Sequence, residues 1–356
     1  MHKISDALCT PHKERVICSL DSLRLKPSHT GVVDMIYSSG LLPYCLLSLV
    51  SIVLATSRTS PPDGAIVVRQ SGTKSGEYST ISAAVATLSG GETVFIYPGT
   101  YEEQVSIGVT NVTMLCYTED TDTYKSNVVT ITNNLNAQDD GGNDACATLR
   151  AEKDGFNLYN CIVKNTYGQG KQATAVAARG NKQGFYGSSF TGYQDTLLAD
   201  GGYQYYSNCY IEGAVDYIYG DASAWFGECT LASNGAGAIT ANSREEASDP
   251  NYYVIDDSVV IQANSSTSDL TEKVYLGRPW RVLARVVFQN SELPDLINPE
   301  GYTTLASNAT PIFSEYGNTG DGSDTSERLY YTAISAAISK SSVLGSDWKS
   351  WTDTSY

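Results

Sequence analysis

The feature that most constrains the fold of this chain is a recurrence of polar side chains at the step of one solenoid coil. Gln172, Gln194 and Asp216 follow one another at intervals of 22 residues, and Asp195 precedes Asp216 by 21 residues. Repeats of roughly 20 to 29 residues are typical of solenoids, in which each coil stacks on the one before. Parallel strands on neighbouring coils lie about 4.8 Å apart. The spacing therefore predicts that two amides and two carboxylates meet in one patch.

Short β-rich segments, separated by Gly, Asn and Asp, fill the chain around this patch. Three of them, FYGSSFTGYQDTL, YYSNCYIEGAVDYI and WFGECTLASNG, resemble one another at a step of about 20 residues, with aromatic, small and apolar positions in phase. Regular short strands also occur in β-sandwiches, but the repeat favours an all-β fold built as a parallel β-helix. Two amide donors beside two carboxylates suit acyl transfer, in which a developing oxyanion must be held.

Helical patterns predict a short cap for each end of the solenoid. In YSTISAAVATLSGG, Ser79 is expected to cap a helix whose Ile81, Val85 and Leu88 share one face before the glycine pair ends it. The Ala-rich segment 326–345 is expected to form the second capping helix near the C-terminus. Terminal caps are needed because an open solenoid end would expose its core.

Composition excludes several classes of chemistry. The three histidines are His2, His12 and His29, so loss of the N-terminal region leaves a chain without histidine. A Ser-His-Asp triad and a histidine-ligated metal site are then excluded, and no cofactor or metal is expected. The formal net charge of −16 argues against nucleic acid or an anionic membrane as a partner. Any general acid or base must come from Asp, Glu, Tyr, Lys or an unusual Arg.

The N-terminal region predicts export. The apolar run LLPYCLLSLVSIVLA, residues 41–55, is short for a membrane span but fits the core of a signal peptide. We interpret 1–34 as a leader of uncertain status, produced by a start site assigned too early, 35–57 as the signal peptide and 58–356 as one domain. A long polar region before the apolar run and a signal anchor are the alternatives. A secreted, extracellular protein is expected, and sequons at Asn111, Asn264 and Asn308 are consistent with it.

Five cysteines follow the leader, at an odd count that leaves at least one thiol free in a monomer. Cys209 and Cys229 lie 20 residues apart in similar contexts, which places them on adjacent coils. Either a disulfide or a stack of buried free thiols satisfies that arrangement.

Ordered motifs along the chain resemble those of the pectin methylesterases, most closely the fungal type. The matching segments are GTYEEQV (99–105), QATAV (172–176), GYQDTL (192–197), VDYIYGDASAWF (215–226), YLGRPWR (275–281) and FSEYGNTGDG (313–322). The resemblance spans about 64–350. It implies a right-handed parallel β-helix whose surface cleft binds homogalacturonan, a monomeric enzyme that needs no cofactor, and hydrolysis of the C6 methyl ester during plant cell wall modification.

The same resemblance implies a role for each residue of the patch. Asp216 is expected to be the nucleophile, kept ionised by Arg278, and Asp195 the general acid and base, its pKa raised by the neighbouring carboxylate. Gln172 and Gln194 are expected to donate to the oxyanion. The expected substrate-binding residues are Gln172, Arg278, Trp280, Tyr193 and Tyr219.

Each of these residues, taken alone, has a structural interpretation. Asp195 could cap a turn, Asp216 could begin a strand, Arg278 could form a surface ion pair and Trp280 could pack in the core. A glycoside hydrolase also uses paired carboxylates, and a lyase would need a Ca²⁺ cluster. A wall-binding solenoid without catalysis is the third alternative. The two glutamines beside the carboxylates favour acyl chemistry over these.

Overall fold

The computed structural model describes residues 56–356, and the predictions for the leader and the apolar run at 41–55 fall outside them. The strands in chain order are β1 (Ile66–Val68), β2 (Thr93–Ile96), β3 (Gly99–Glu102), β4 (Val105–Ile107), β5 (Thr113–Cys116), β6 (Val129–Asn133), β7 (Leu149–Ala151), β8 (Asn157–Tyr159), β9 (Ile162–Asn165), β10 (Val176–Ala178), β11 (Gln183–Tyr186), β12 (Ser189–Thr191), β13 (Leu197–Ala199), β14 (Tyr203–Ser207), β15 (Tyr210–Gly213), β16 (Ile218–Gly220), β17 (Ser223–Gly227), β18 (Thr230–Ser233), β19 (Gly237–Asn242), β20 (Tyr253–Asp256), β21 (Val259–Gln262), β22 (Val274–Gly277), β23 (Arg285–Gln289) and β24 (Ile312–Tyr316). The helices are α1 (Ile81–Val85) and α2 (Lys340–Leu344), and single 3₁₀ turns cover Tyr124–Ser126 and Trp348–Ser350.

These strands wind into three parallel sheets, as the right-handed parallel β-helix requires. A ten-stranded sheet runs β1-β2-β5-β8-β11-β14-β17-β20-β23-β24. A seven-stranded sheet, here called the site sheet, runs β4-β7-β10-β13-β16-β19-β22. The third sheet runs β3-β6-β9-β12-β15-β18-β21. Each coil contributes one strand to each sheet, which confirms the predicted solenoid.

The interior is held by side chains that stack from coil to coil. Phe185, Tyr206 and Phe226 occupy successive register positions. Their rings lie parallel, with centroids 4.7 Å and then 4.5 Å apart. Such stacked aromatic pairs contribute about 0.5–1.5 kcal/mol beyond the area that they bury. The in-phase aromatic positions of the repeat therefore build a continuous core.

Sharp turns leave the ten-stranded sheet through residues in the left-handed conformation. Asn160, Asn208, Glu228, Asp257 and Asn290 all have φ near +50° where the chain bends towards the third sheet. Asn and Asp tolerate this conformation better than other residues with a Cβ atom, because their short polar side chains bond locally. The recurring Asn and Asp of the repeat thus have a backbone reason.

The cysteines divide between one disulfide and buried thiols. Cys116 and Cys161 are bonded, with Cα atoms 5.3 Å apart and 45 residues between them in sequence. Cys209 and Cys229 are free and buried. Of the two arrangements that the spacing left open, the structure has the free thiols, and their Sγ atoms lie within hydrogen-bond range of Ser207 and Gly227 carbonyls.

The N-terminal cap is as predicted except for its first residue. Thr80, not Ser79, caps α1, because its extended backbone lets the side chain accept from Ala83 N. The Glu103 carboxylate accepts from the next two amides, Ile81 N at 2.9 Å and Ser82 N at 2.8 Å. Ile81 is buried, with Val85 and Leu88 packed partly against the same core.

The C-terminal prediction is wrong in extent and in place. Only Lys340–Leu344 is helical within 326–345, and this turn packs against β14 and β17 on the side of the solenoid. The amide of Gln289 bonds both the N–H and the carbonyl of Ile338, which holds the preceding chain extended. Extended chain advances about 3.3 Å per residue against 1.5 Å for a helix. It therefore covers more of the sheet's outward aromatic rings, Tyr186, Tyr205, Trp225 and Tyr252.

Candidate active site

Asp195 and Asp216 occupy equivalent positions on consecutive coils of the site sheet. Each lies two residues before a strand, β13 for Asp195 and β16 for Asp216. Their φ angles are 64° and 51°, so both adopt the left-handed conformation at a bend of the chain. Strained backbone of this kind is concentrated at functional sites. Both are nearly buried, with exposed fractions of 3% and 8%.

The register between these coils differs by one residue from the predicted step. Gln194 pairs with Val215, and Asp195 N donates to Val215 O at 3.0 Å, so the coil step here is 21 residues. Gln172, Gln194 and Asp216 are therefore not in register, and the prediction of a 22-residue coil step is wrong. All three nevertheless line one cavity of about 210 Å³, because the chain bends where the polar side chains leave the sheet.

Arg278 fixes the Asp216 carboxylate. It follows β22, and its backbone N–H donates to Thr240 O at 3.0 Å, which ties it to the neighbouring coil. Its Nε donates to Asp216 Oδ1 and its second guanidinium nitrogen to Asp216 Oδ2, each at 2.7 Å. The hydrogen-bonded Asp216 raises the pKa of Arg278 above its usual value. Paired, two-point contacts of this geometry are strong and directional, so Asp216 is held ionised and aimed.

Asp195 has the opposite environment. Burial, followed by the negative charge of Asp216, raises its pKa to about 8. Hydrogen bonds from Asn143 and Gln172 and the charge of Arg278 oppose this rise. Two adjacent carboxyl groups with such different surroundings divide into one ionised group and one that keeps its proton at neutral pH. The sequence attributed the rise to the neighbouring carboxylate, whereas burial is the larger cause.

The two glutamines complete the polar lining of the cavity. Gln138 Nε2 donates to Gln172 Oε1 at 2.8 Å. That bond engages the oxygen of Gln172 and leaves its NH₂ group for the cavity, where it bonds Asp195. Gln194 lies next to Asp195 in sequence and lines the same cavity. Two amide donors beside the carboxyl pair can receive an oxyanion that forms on a bound carbonyl carbon.

Aromatic and apolar side chains form the rest of the wall. The ring of Trp280 lies 5.9 Å from that of Tyr219 at 54°, and both line the cavity with Leu305. Tyr219 is buried, and its hydroxyl bonds Thr174 Oγ1 at 2.7 Å. Tyr219 therefore offers a ring edge and supports Trp280, while Leu305, 43% exposed, faces the cavity from the far side.

Tyr193 is the one predicted site residue that the structure does not bring into this cavity. It lines an adjoining cavity of about 560 Å³ together with Glu212, Asn234 and Lys273. The alternation of side chains along an extended segment turns it away from its neighbour Gln194.

Three contacting residues were missed from the sequence. Asn143 and Gln138 belong to 134–147, a loop between β6 and β7 with no counterpart in the repeat, and Leu305 lies in an irregular segment after β23. The only available signal was the density of Asn, Asp and Gln in NNLNAQDDGGND. That composition is also ordinary for a solvated loop.

Within 56–356, no group of three or more His, Cys, Asp or Glu residues is placed to hold a metal ion. In the same part of the chain, no helix is long and apolar enough to cross a membrane. The cavity is therefore best described by its carboxyl pair, arginine and amides: an acid that retains its proton beside a carboxylate that does not.

Comparison with known proteins gives consistent matches along the chain. The Pectinesterase family model matches residues 65–352. Pectinesterase A of Emericella nidulans is 56% identical over 305 residues, which cover 85% of this chain and 92% of that protein. The crystal structure of the pectin methylesterase from Aspergillus niger is 53% identical and covers 85% of this chain and 100% of its own, with a TM-score of 0.81. The pectin methylesterase from carrot is 29% identical over 83% of this chain and 98% of its own, with a TM-score of 0.73.

The family match takes in all of the strands and both helices, and the two fungal proteins are much more similar in sequence than the carrot enzyme. The resemblance drawn from the sequence motifs is confirmed. The chain belongs to the pectinesterase family, on its fungal side, and is a carboxylic ester hydrolase.

Proposed function

We propose that this protein hydrolyses the C6 methyl ester of homogalacturonan in plant cell wall pectin, with Asp216 as nucleophile and Asp195 as general acid and base. The observation that carries this proposal is the unequal carboxyl pair. Asp216 is held by two 2.7 Å bonds from Arg278, and burial raises the pKa of Asp195 to about 8. Family membership and the named pectin methylesterases of similar structure support the substrate.

The first half of the reaction makes an acyl-enzyme. An oxygen of Asp216 attacks the ester carbonyl carbon, and the electron pair moves onto the carbonyl oxygen. The NH₂ groups of Gln172 and Gln194 donate to that oxyanion, a contact whose loss costs about 10²–10³ in rate at a typical site. The intermediate then collapses, the bond to the methoxy group breaks and the proton of Asp195 goes to the departing oxygen as methanol forms.

The second half restores the enzyme. Asp195, now a carboxylate, takes a proton from water as the water oxygen attacks the acyl carbon. The bond to Asp216 breaks, and Asp216 returns to its pairing with Arg278. The product is a galacturonate unit, whose carboxyl group ionises in solvent. Trp280 is proposed to pack against a sugar ring at the mouth of the cavity.

Product analysis tests this proposal against the other pectin-active chemistries. Esterified homogalacturonan should release methanol without new reducing ends or unsaturated units. Reducing ends would indicate a glycoside hydrolase, and unsaturated products a lyase. The matched control is Asp216→Asn, which should bind the polymer and release no methanol. A wild-type protein that binds pectin without any of these products would be a wall-binding solenoid, and the proposal would fail.

We also propose that the protein is exported and acts as a monomer in the extracellular space. The apolar run at 41–55 and the three exposed sequons, Asn111, Asn264 and Asn308, support export. N-terminal sequencing of secreted protein should find a start near 55–58, and a start upstream of residue 40 would contradict the proposal. Sedimentation of the secreted protein should give a single species of monomer mass.

A further inference from the structure

A side chain outside the repeat contacts the acid of the carboxyl pair. Asn143 lies in the 134–147 loop, and its Nδ2 donates to Asp195 Oδ2 at 2.9 Å. The other groups that face Asp195 are Gln172, Asp216, Arg278 and the buried Tyr219. Among them Asn143 makes the neutral, directional contact to one named oxygen. A contact of that kind can decide which oxygen of a carboxyl group holds the proton.

Asn143 is fixed from both sides of the loop. Its sequence neighbour Asp144 accepts from Arg150 at 2.7 Å and from Arg179 at 3.2 Å, and these arginines stand on and beside strands of the site sheet. The Sγ of buried Cys146 lies 3.3 Å from the carbonyl oxygen of Asn143. These ties hold the amide in place, because moving it would break contacts to two coils.

We infer that Asn143 is a positioning residue that reserves Oδ2 of Asp195 as an acceptor, so that the transferable proton resides on Oδ1. An amide N–H bonds best to the carbonyl-type oxygen of a protonated carboxyl group, since the hydroxyl oxygen is the weaker acceptor. After the proton has left, the same bond stabilises the carboxylate that must activate water. This inference rests on the proposed function, in which Asp195 first donates and then accepts a proton.

Removal of the amide has a consequence that a merely structural role would not produce. Asn143→Ala removes a hydrogen bond to the charged form of Asp195, so the carboxylate becomes less favourable. The alkaline limb of kcat should shift to higher pH by roughly one unit, the worth of one hydrogen bond to a charged group. At the plateau kcat should fall roughly 10-fold to 100-fold while KM for the polymer changes little.

Asn143→Asp sharpens the test, since it keeps the shape of the side chain and replaces a donor by a negative charge. Its alkaline limb should shift further in the same direction. The matched control is Asn136→Ala. Asn136 belongs to the same loop and bonds Asp139 through both its amide nitrogen and its oxygen. Its removal perturbs the loop without touching Asp195, and the limb should stay where it is.

The outcomes separate this inference from the proposed function. If the wild type and Asp195→Asn behave as proposed but Asn143→Ala leaves the limb in place, or Asn136→Ala moves it equally, the inference is overturned. If the wild type releases no methanol, the proposed function fails. The pKa of Asp195, followed by carboxyl-carbon NMR in wild type and Asn143→Ala, then decides the inference: an increase supports it, and an unchanged value overturns it.

Discussion

Asp195 costs the folded protein stability at neutral pH, and replacing it with asparagine should make the protein more stable. Burial raises the pKa of this carboxyl group from 3.8 to about 8. Between those two values the folded state binds more protons than the unfolded state, so stability falls as pH rises from about 4 to about 8. An asparagine side chain at this position would have the shape of the protonated acid and would not titrate.

The magnitude follows from the difference between the two states. At pH 7 the unfolded carboxyl is about three pKa units above its own midpoint, while the folded one is still mostly protonated. At 1.36 kcal/mol per unit, the cost to the wild type is about 4 kcal/mol. Asp195→Asn should therefore gain about that much free energy of unfolding relative to wild type between pH 4 and pH 7. At pH 4 the gain should be close to zero.

The neighbouring carboxylate supplies the matched control. Asp216→Asn breaks the two-point pairing and leaves Arg278 half-buried without its partner. Breaking a buried ion pair on one side costs roughly 3–5 kcal/mol, and this more open pair should cost somewhat less. The same substitution on adjacent coils should thus change stability in opposite directions at pH 7.

Equilibrium unfolding in urea, with the disulfide intact and refolding verified, measures both effects across pH 4 to pH 8. A stabilisation by Asp195→Asn that is equally large at pH 4 and pH 7 would refute the reasoning, because it would not depend on titration. So would a destabilisation at pH 7.

Three further predictions concern other parts of the molecule. Replacing Cys116 and Cys161 by serine should lower the free energy of unfolding by roughly 4 kcal/mol, the loop entropy of a 45-residue closure, as urea titration of the two proteins would measure; an unchanged midpoint would contradict this. Trp280→Ala should raise KM by roughly tenfold, about 1.4 kcal/mol of lost ring contact, with kcat nearly unchanged, whereas Tyr193→Ala should raise KM only for substrates long enough to reach the adjoining cavity; equal effects of Tyr193→Ala on short and long substrates would contradict its placement. Overnight chelation should leave methanol release intact, and a loss that Ca²⁺ or Zn²⁺ restores would overturn the expectation of metal-free chemistry.

The parts of the fold that repeat were predictable from the sequence. One coil of a parallel β-helix imposes a fixed step, an inward aromatic or aliphatic residue and a tight turn, and each leaves a mark. Phe185, Tyr206 and Phe226 recur in phase for this reason. Asp195 and Asp216 fall one coil apart, so their proximity followed from the spacing alone. The error of one residue in the glutamine register arose because the chain bends at these aspartates.

The parts that interrupt the repeat were not predictable. The 134–147 loop lengthens one coil, so neither the bond from Asn143 to Asp195 nor the pairing of Cys116 with Cys161 appears at the regular step. The C-terminal segment has helical composition, but its conformation is set by the aromatic surface that it covers and by Gln289. Tertiary contacts of this kind override local propensity and leave no periodic signal.

The central claim is that Asp216 forms the acyl-enzyme and Asp195 handles the proton, and pre-steady-state kinetics on an activated aryl ester of galacturonate test it most directly. The aryl leaving group needs no proton, so Asp195→Asn should give a stoichiometric burst of phenolate and then stall, because deacylation still lacks its base. Asp216→Asn should give no burst. A burst from Asp216→Asn, or the absence of one from Asp195→Asn alone, would contradict the assignment.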